Sequence, residues 1–221
     1  ILVTLFLNWN RRASSAGQTA LGKAIEISQA RISETGTPAG STAKTYKTEK
    51  ERGEAAIAEF QSVADKFGGD IAEKAKYFIA VNKLDVDRPA AIQEIEALAG
   101  KGGDIGKMAK FALAQVRVND NKLDEALSIF QELAKMDDPI VAKDTLNFEI
   151  AKILEKQGKK TEAVDIYFNI AKAAAEAKDM DGKAVTPTQT ATDAKEKLTQ
   201  LDPERAKQIP EPTPESPFGA K

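Results

Sequence analysis

Four copies of one short pattern constrain this chain more than any other feature of it. Each copy is built on an alanine: Ala56, Ala91, Ala126 and Ala163, separated by 35, 35 and 37 residues. An aliphatic residue follows each alanine (Ile57, Ile92, Leu127, Val164). A large apolar residue stands four after it (Phe60, Ile95, Phe130, Tyr167), and another aliphatic seven after it (Val63, Leu98, Leu133, Ile170). Offsets of one, four and seven fall on one face of a helix. The alanine lets a neighbouring helix approach closely, and the larger residues fill the space around it. A period of this length describes one supersecondary unit that buries its apolar face only against its neighbours.

A second helix precedes each of the last three copies, marked by an aromatic, two residues and an alanine. The instances are Tyr77 with Ala80, Phe111 with Ala114, and Phe148 with Ala151. Turn-like stretches lie between the paired helices: 84–89, 119–122 and 157–160. Pro89 fits the first turn of a helix, where its missing N–H is harmless. Asp70, Asp104 and Asp144 stand near the starts of the first helices and are expected to cap them. Gly68-Gly69, Gly102-Gly103 and Asp138-Pro139 break the chain between units.

These residues resemble the tetratricopeptide repeat, a helix–turn–helix unit, over roughly residues 50 to 175. The best copy runs from Ala109 to Pro139, with small residues at Ala114 and Ala126, an aromatic at Phe130 and a closing proline. The family's mid-helix aromatic is replaced by Arg117 in the third unit and Leu154 in the fourth, and its glycine is alanine throughout. The resemblance implies an all-α fold, a right-handed helix–turn–helix solenoid, whose first helices line a concave, partner-binding face. On that reading Tyr77, Phe111, Gln115, Phe148 and Lys152 are the partner-binding candidates, with Lys74, Val81, Met108 and Thr145 beside them. An aromatic stripe at this spacing is more often core between units than ligand surface.

Composition narrows the chemistry. The chain has no histidine and no cysteine. Disulfides and thiolate metal sites are therefore excluded, and the commonest general base and zinc ligand is missing. The 32 basic and 34 acidic residues are interspersed, with no basic stripe of the kind that binds nucleic acid. There is no glycine-rich phosphate loop, nucleophile elbow or metal-binding helix motif. Asp85 and Asp87 before Pro89, and Asp137 and Asp138 before Pro139, lack calcium-loop spacing and read as loop caps. The Lys152, Lys156, Lys159 and Lys160 cluster reads as a solvated face or a recognition patch. No catalytic residue, cofactor or metal is expected; an enzyme would need a carboxylate or lysine site that no motif locates.

The chain opens with the apolar run Ile1 to Leu7, followed by Trp9, Arg11 and Arg12. Seven helical residues rise about 10 Å against roughly 30 Å of bilayer hydrocarbon, so this run alone cannot span. It looks like the last two turns of a membrane anchor, with Trp9 at the interface and the arginines at headgroups. A short arm packed on a partner protein and a remnant of a signal peptide are the alternatives. The arginines alone argue for a cytoplasmic domain; an upstream flank could reverse that.

The junction from Leu7 to Arg12, a helix near residues 21–34 and the divergent repeats together resemble a narrower group. These are bacterial inner-membrane proteins similar to the ancillary subunit of the Sec translocon. That resemblance implies an inner-membrane anchor, a periplasmic repeat domain and partners among translocon components or chaperones. The chain is then expected to divide into an anchor or arm at 1–12, a helix and linker at 13–52, and repeats at 53–177. A linker and capping helix follow at 178–207, and a Pro-rich tail at 208–221.

Ala16 to Glu34 reads as one amphipathic helix, with Leu21, Ala24, Ile25, Ser28 and Ile32 on one face. Residues 35–42 read as a loop insertion, and Lys44 to Arg52 as an extension of the next helix. Ala191 to Leu201 reads as a helix closing the last repeat. The tail, with prolines at 210, 212, 214 and 217, reads as an extended solvated segment or as a peptide arm anchored by Phe218. Two functions compete: a membrane-anchored scaffold that binds partner or client proteins, and an accessory subunit of a stable membrane complex.

Overall fold

A computed structural model describes residues 15–36 and 44–210. The apolar run, Trp9, Arg11, Arg12, most of the 35–42 insertion and the tail beyond Pro210 lie outside the described residues. The chain divides into two compact units, Ile1–Asp120 and Asn121–Lys221.

The first unit runs α1 (Ser15–Ser28), β1 (Arg31–Ile32), β2 (Thr45–Tyr46), α2 (Glu49–Lys66) and α3 (Gly69–Asn82). A 3-10 turn (Lys83–Asp85), α4 (Arg88–Ala99) and α5 (Gly103–Asn119) complete it. Each helix packs on the next. The contact between an alanine-bearing helix and the helix after it (α2 on α3, α4 on α5) is more extensive than that between α3 and α4. The 3-10 turn wedges between these last two and touches both.

Two expectations for the flank are corrected. The first helix ends at Ser28, six residues before Glu34. Beyond it Arg31 and Ile32 pair in parallel with Thr45 and Tyr46, which takes Ile32 off the helix face. Residues 44–48 therefore do not extend α2. Instead Thr48 is its N-cap, accepting from Glu51 N at 3.1 Å, while the Glu51 carboxylate accepts from Lys47 N at 3.0 Å. This reciprocal arrangement satisfies two backbone donors at the helix start.

Asp70, Asp104 and Asp144 are not caps. The N-cap positions are Gly68, Gly102 and Ala142, none with a side-chain cap bond. Gly69 and Gly103 take φ of +59° and +70°, so the glycines themselves make the turn into the helix. The aspartates fall in the first turn, where their charge suits the positive end of the helix dipole. Asp87 does cap, accepting from Ala90 N at 3.2 Å ahead of Pro89.

The second unit runs α6 (Leu123–Ala134), α7 (Lys143–Lys156), α8 (Lys160–Glu176), α9 (Gln189–Leu201) and α10 (Pro203–Ala206). Consecutive helices pack here too, and α9 lies on α8 and touches α7, covering the end of the unit. The linker before α9 holds a small hairpin bridged between Lys178 and Ala184.

The repeated apolar positions form the core of both units. Ala56, Ala91, Ala126 and Ala163 are 0% exposed, as are Phe60, Ile95, Phe130 and Tyr167 four residues on. Val63, Leu98, Leu133 and Ile170 are also buried. The aliphatic residue next to the alanine is only half-buried in the first three copies and buried at Val164. Phe60 stacks on Phe78 with ring centroids 5.0 Å apart, joining α2 to α3.

Candidate partner-binding face

The sequence singles out one register of the first helices, and the structure splits that set. In the first unit Tyr77 is 1% exposed and Phe111 2%. Both rings belong to the core, so neither side chain can touch a partner as the fold stands. Tyr77 meets Phe78 edge-on at 5.3 Å, and burial pushes its phenol well above the ordinary tyrosine range. Of the neighbours, Lys74 and Met108 are buried too, whereas Val81 and Gln115 are half-buried. The physical reason is the extensive packing of α2 on α3 and of α4 on α5, which surrounds Tyr77 and Phe111 with neighbouring side chains.

In the second unit Phe148, Lys152 and Thr145 are half-buried. The Phe148 ring lies 5.5 Å from that of Tyr167, and Lys152 Nζ stands 5.6 Å from the Phe148 centroid. The same ammonium donates to both oxygens of Glu149, at 3.0 and 2.9 Å. Glu149 is itself buried, so Lys152 holds a charge that the core would otherwise leave stranded. Next along, Tyr167 Oη donates to Glu155 at 3.2 Å, and Lys197 from α9 reaches the same carboxylate at 3.1 Å. Burial, with the charges of Glu155 and Glu149, holds the Tyr167 phenol well above its ordinary range. Lys156, Lys159 and Lys160 are exposed, so the basic cluster is a solvated turn with Lys152 set apart inside it.

Lys74 is the other buried charge. Burial pushes its amine below the usual lysine range, and Asp70 and Asp104 pull the other way. Arg117 is paired with Glu96 on the helix before it. A cleft of about 200 Å³ opens between α1, α2 and α3, lined by Ile25, Arg52, Val81, Asn82 and Asp85 among others. Among the described residues no group of acidic side chains is placed to hold a metal. Among the same residues no helix is long and apolar enough to cross a membrane.

Within each unit polar rungs join the helix pairs, and no sequence motif marks them. Asp85, Asp120 and Gln157 each stand six residues before an alanine of the repeat. Asp85 pairs with Arg52, Asp120 with Arg88, and Gln157 with Asp124, spans of 33, 32 and 33 residues. Each rung ties the turn before one alanine-bearing helix to the start of the alanine-bearing helix of the preceding copy. The register was visible in the sequence, but charges in turns look solvated until the partner helix is in place.

The fold defines the chain as a mostly helical protein whose helices pack consecutively within each of its two units on a repeated apolar face. No protein-family model matches it, and neither a curated protein nor a solved structure does.

Proposed function

We propose that this chain is a protein–protein interaction scaffold of the tetratricopeptide-like kind and performs no chemistry. The observation that carries the reading is the division of labour within each copy. The small and large apolar positions of the repeat are consumed by packing, while Gln115, Phe148 and Lys152 remain half-buried on the first helices. A scaffold of stacked helices with a polar, adjustable face suits recognition of peptide segments or helical surfaces. The right-handed solenoid is part of this proposal, as are an inner-membrane anchor ending near Arg12 and a periplasmic repeat domain. They rest on the resemblance of the Leu7 to Arg12 junction and the repeats.

The test is site-specific photocrosslinking in native membranes, with the crosslinking amino acid in the full chain replacing Gln115, or replacing Lys152 together with Glu149→Gln so that no buried carboxylate loses its partner. Adducts at these positions with translocon components, chaperones or transiting chains support the scaffold. Adducts with one fixed set of subunits make the chain a structural accessory subunit instead. Absence of adducts at both positions removes the proposed face.

A further inference from the structure

Among the described residues, the two exposed large hydrophobic side chains, Met180 and Val185, lie on one hairpin. The hairpin is firmly bonded. Val185 N donates to Ala177 O at 3.1 Å and Asp179 N to Lys183 O at 2.9 Å. The Asp179 carboxylate closes the turn by accepting from Asp181 N and Lys183 N, both at 2.9 Å. Fixed in this way, Val185 is 45% exposed and forms one wall of an apolar pocket of about 110 Å³. The other walls include Ala171, Ala175, Pro187, Ala191 and Ile209, with Lys195 at the edge.

The chain itself leads to this pocket. Ile209 is buried in its wall, Pro210 lies on its rim, and residues 211–221, outside the described residues, follow directly. An extended proline-rich chain rises about 3.1 Å per residue, so the reach from Pro210 is at most roughly 6 Å to Pro212 and 12 Å to Pro214. Both prolines are thus within reach of a pocket that Pro210 itself lines. The charge of the pocket lining also suits, because Lys195 is its one charged residue while Glu211 and Glu215 flank these prolines in the sequence.

We infer that the apolar pocket between α8, α9 and the 177–185 hairpin is a binding site for the chain's own Pro212–Pro214 segment. Proline rings suit a shallow alanine-lined wall, and a segment already restrained by its prolines loses little freedom on docking. The occupied pocket would cover Val185 and extend the packing begun by Ile209.

The test is nuclear magnetic resonance on the full 221-residue chain, beside a chain stopped after Pro210. The expected result is a set of nuclear Overhauser contacts from the Pro212 or Pro214 ring to the Ala175 or Val185 methyls. The Ala171 and Ala175 methyl shifts should move in the stopped chain, and Val185→Glu, at an exposed site, should abolish the contacts while the fold persists. Absence of the contacts in the full chain overturns the inference. So does their appearance only between labelled and unlabelled molecules, which would make the occupant a second copy. Neither result depends on any partner, so this site and the proposed scaffold function fail separately.

Discussion

Gln157 Nε2 donates to Asp124 Oδ1 at 2.8 Å, joining the end of α7 to the first turn of α6 across 33 residues of chain. The same register supplies Arg52 with Asp85 at 3.2 Å and Arg88 with Asp120. The rung therefore repeats with the copy, as the apolar core does. A double-mutant cycle of Gln157→Ala and Asp124→Ala should return a coupling of about 0.5–1.5 kcal/mol by urea unfolding. Additive losses would show the rung to be incidental.

The alanines carry a sharper prediction. Ala126 is fully buried between α6 and its neighbours, and a larger side chain must push helices apart. Ala126→Leu is expected to cost about 1–3 kcal/mol, even though leucine is a good helix former. Phe60→Ala, which removes half of the stacked pair with Phe78, should cost about 3–5 kcal/mol. Chemical denaturation of each variant measures both.

Gly106 inverts the usual rule for a glycine inside a helix. Replacing such a residue with alanine ordinarily stabilises by roughly 0.5–1 kcal/mol. Here an added Cβ would stand 1.8 Å from the Lys101 carbonyl oxygen, a backbone atom that cannot swing away. Gly106→Ala should lower the thermal midpoint, and a raised midpoint would contradict the close approach.

The phenols of Tyr77 and Tyr167 give a pH dependence of known sign. Both are held above the ordinary value of 10.0 in the folded chain, mainly by burial. Their contribution to stability is complete below that value and is lost as pH rises from it toward the folded value. Alkaline unfolding should therefore release both ionisations together with the loss of helix. Tyr77→Phe should move the alkaline midpoint upward, as read by circular dichroism alongside phenolate absorbance.

Lys152 separates structure from recognition. Lys152→Met leaves Glu149 buried without its ammonium and should destabilise the second unit by several kcal/mol unless Glu149 takes up a proton. The paired change Lys152→Met with Glu149→Gln should recover most of that stability. If the proposed face is correct, the paired variant should be about as stable as the parent chain yet retain less of the crosslink-identified partner in a pull-down.

How much of this was legible can be argued from individual residues. The spacing of Ala56, Ala91, Ala126 and Ala163 with their large partners four residues on marks one helix face, and all eight are 0% exposed. Helix periodicity is written in local spacing, so one strand of sequence carries it. The cap at Asp87 and the closing helix from Gln189 were legible for the same reason. The early end of α1 was not, because Arg31 and Ile32 continue the helical pattern and leave it only to pair with Thr45 and Tyr46. Tyr77 and Phe111 share a register with Phe148 in the sequence, yet two are buried and one is half-buried.

The sequence by itself determined the helical class, the repeat length and the identity of the core positions. It also excluded histidine and cysteine chemistry, because composition and local periodicity need no knowledge of neighbours. Tertiary structure decided which aromatics stay accessible, which charges become ladder rungs or buried pairs, and where a hairpin holds Val185 open beside an apolar pocket. The rungs join residues some thirty positions apart, and the rest depends on what packs around each side chain, which local spacing does not show.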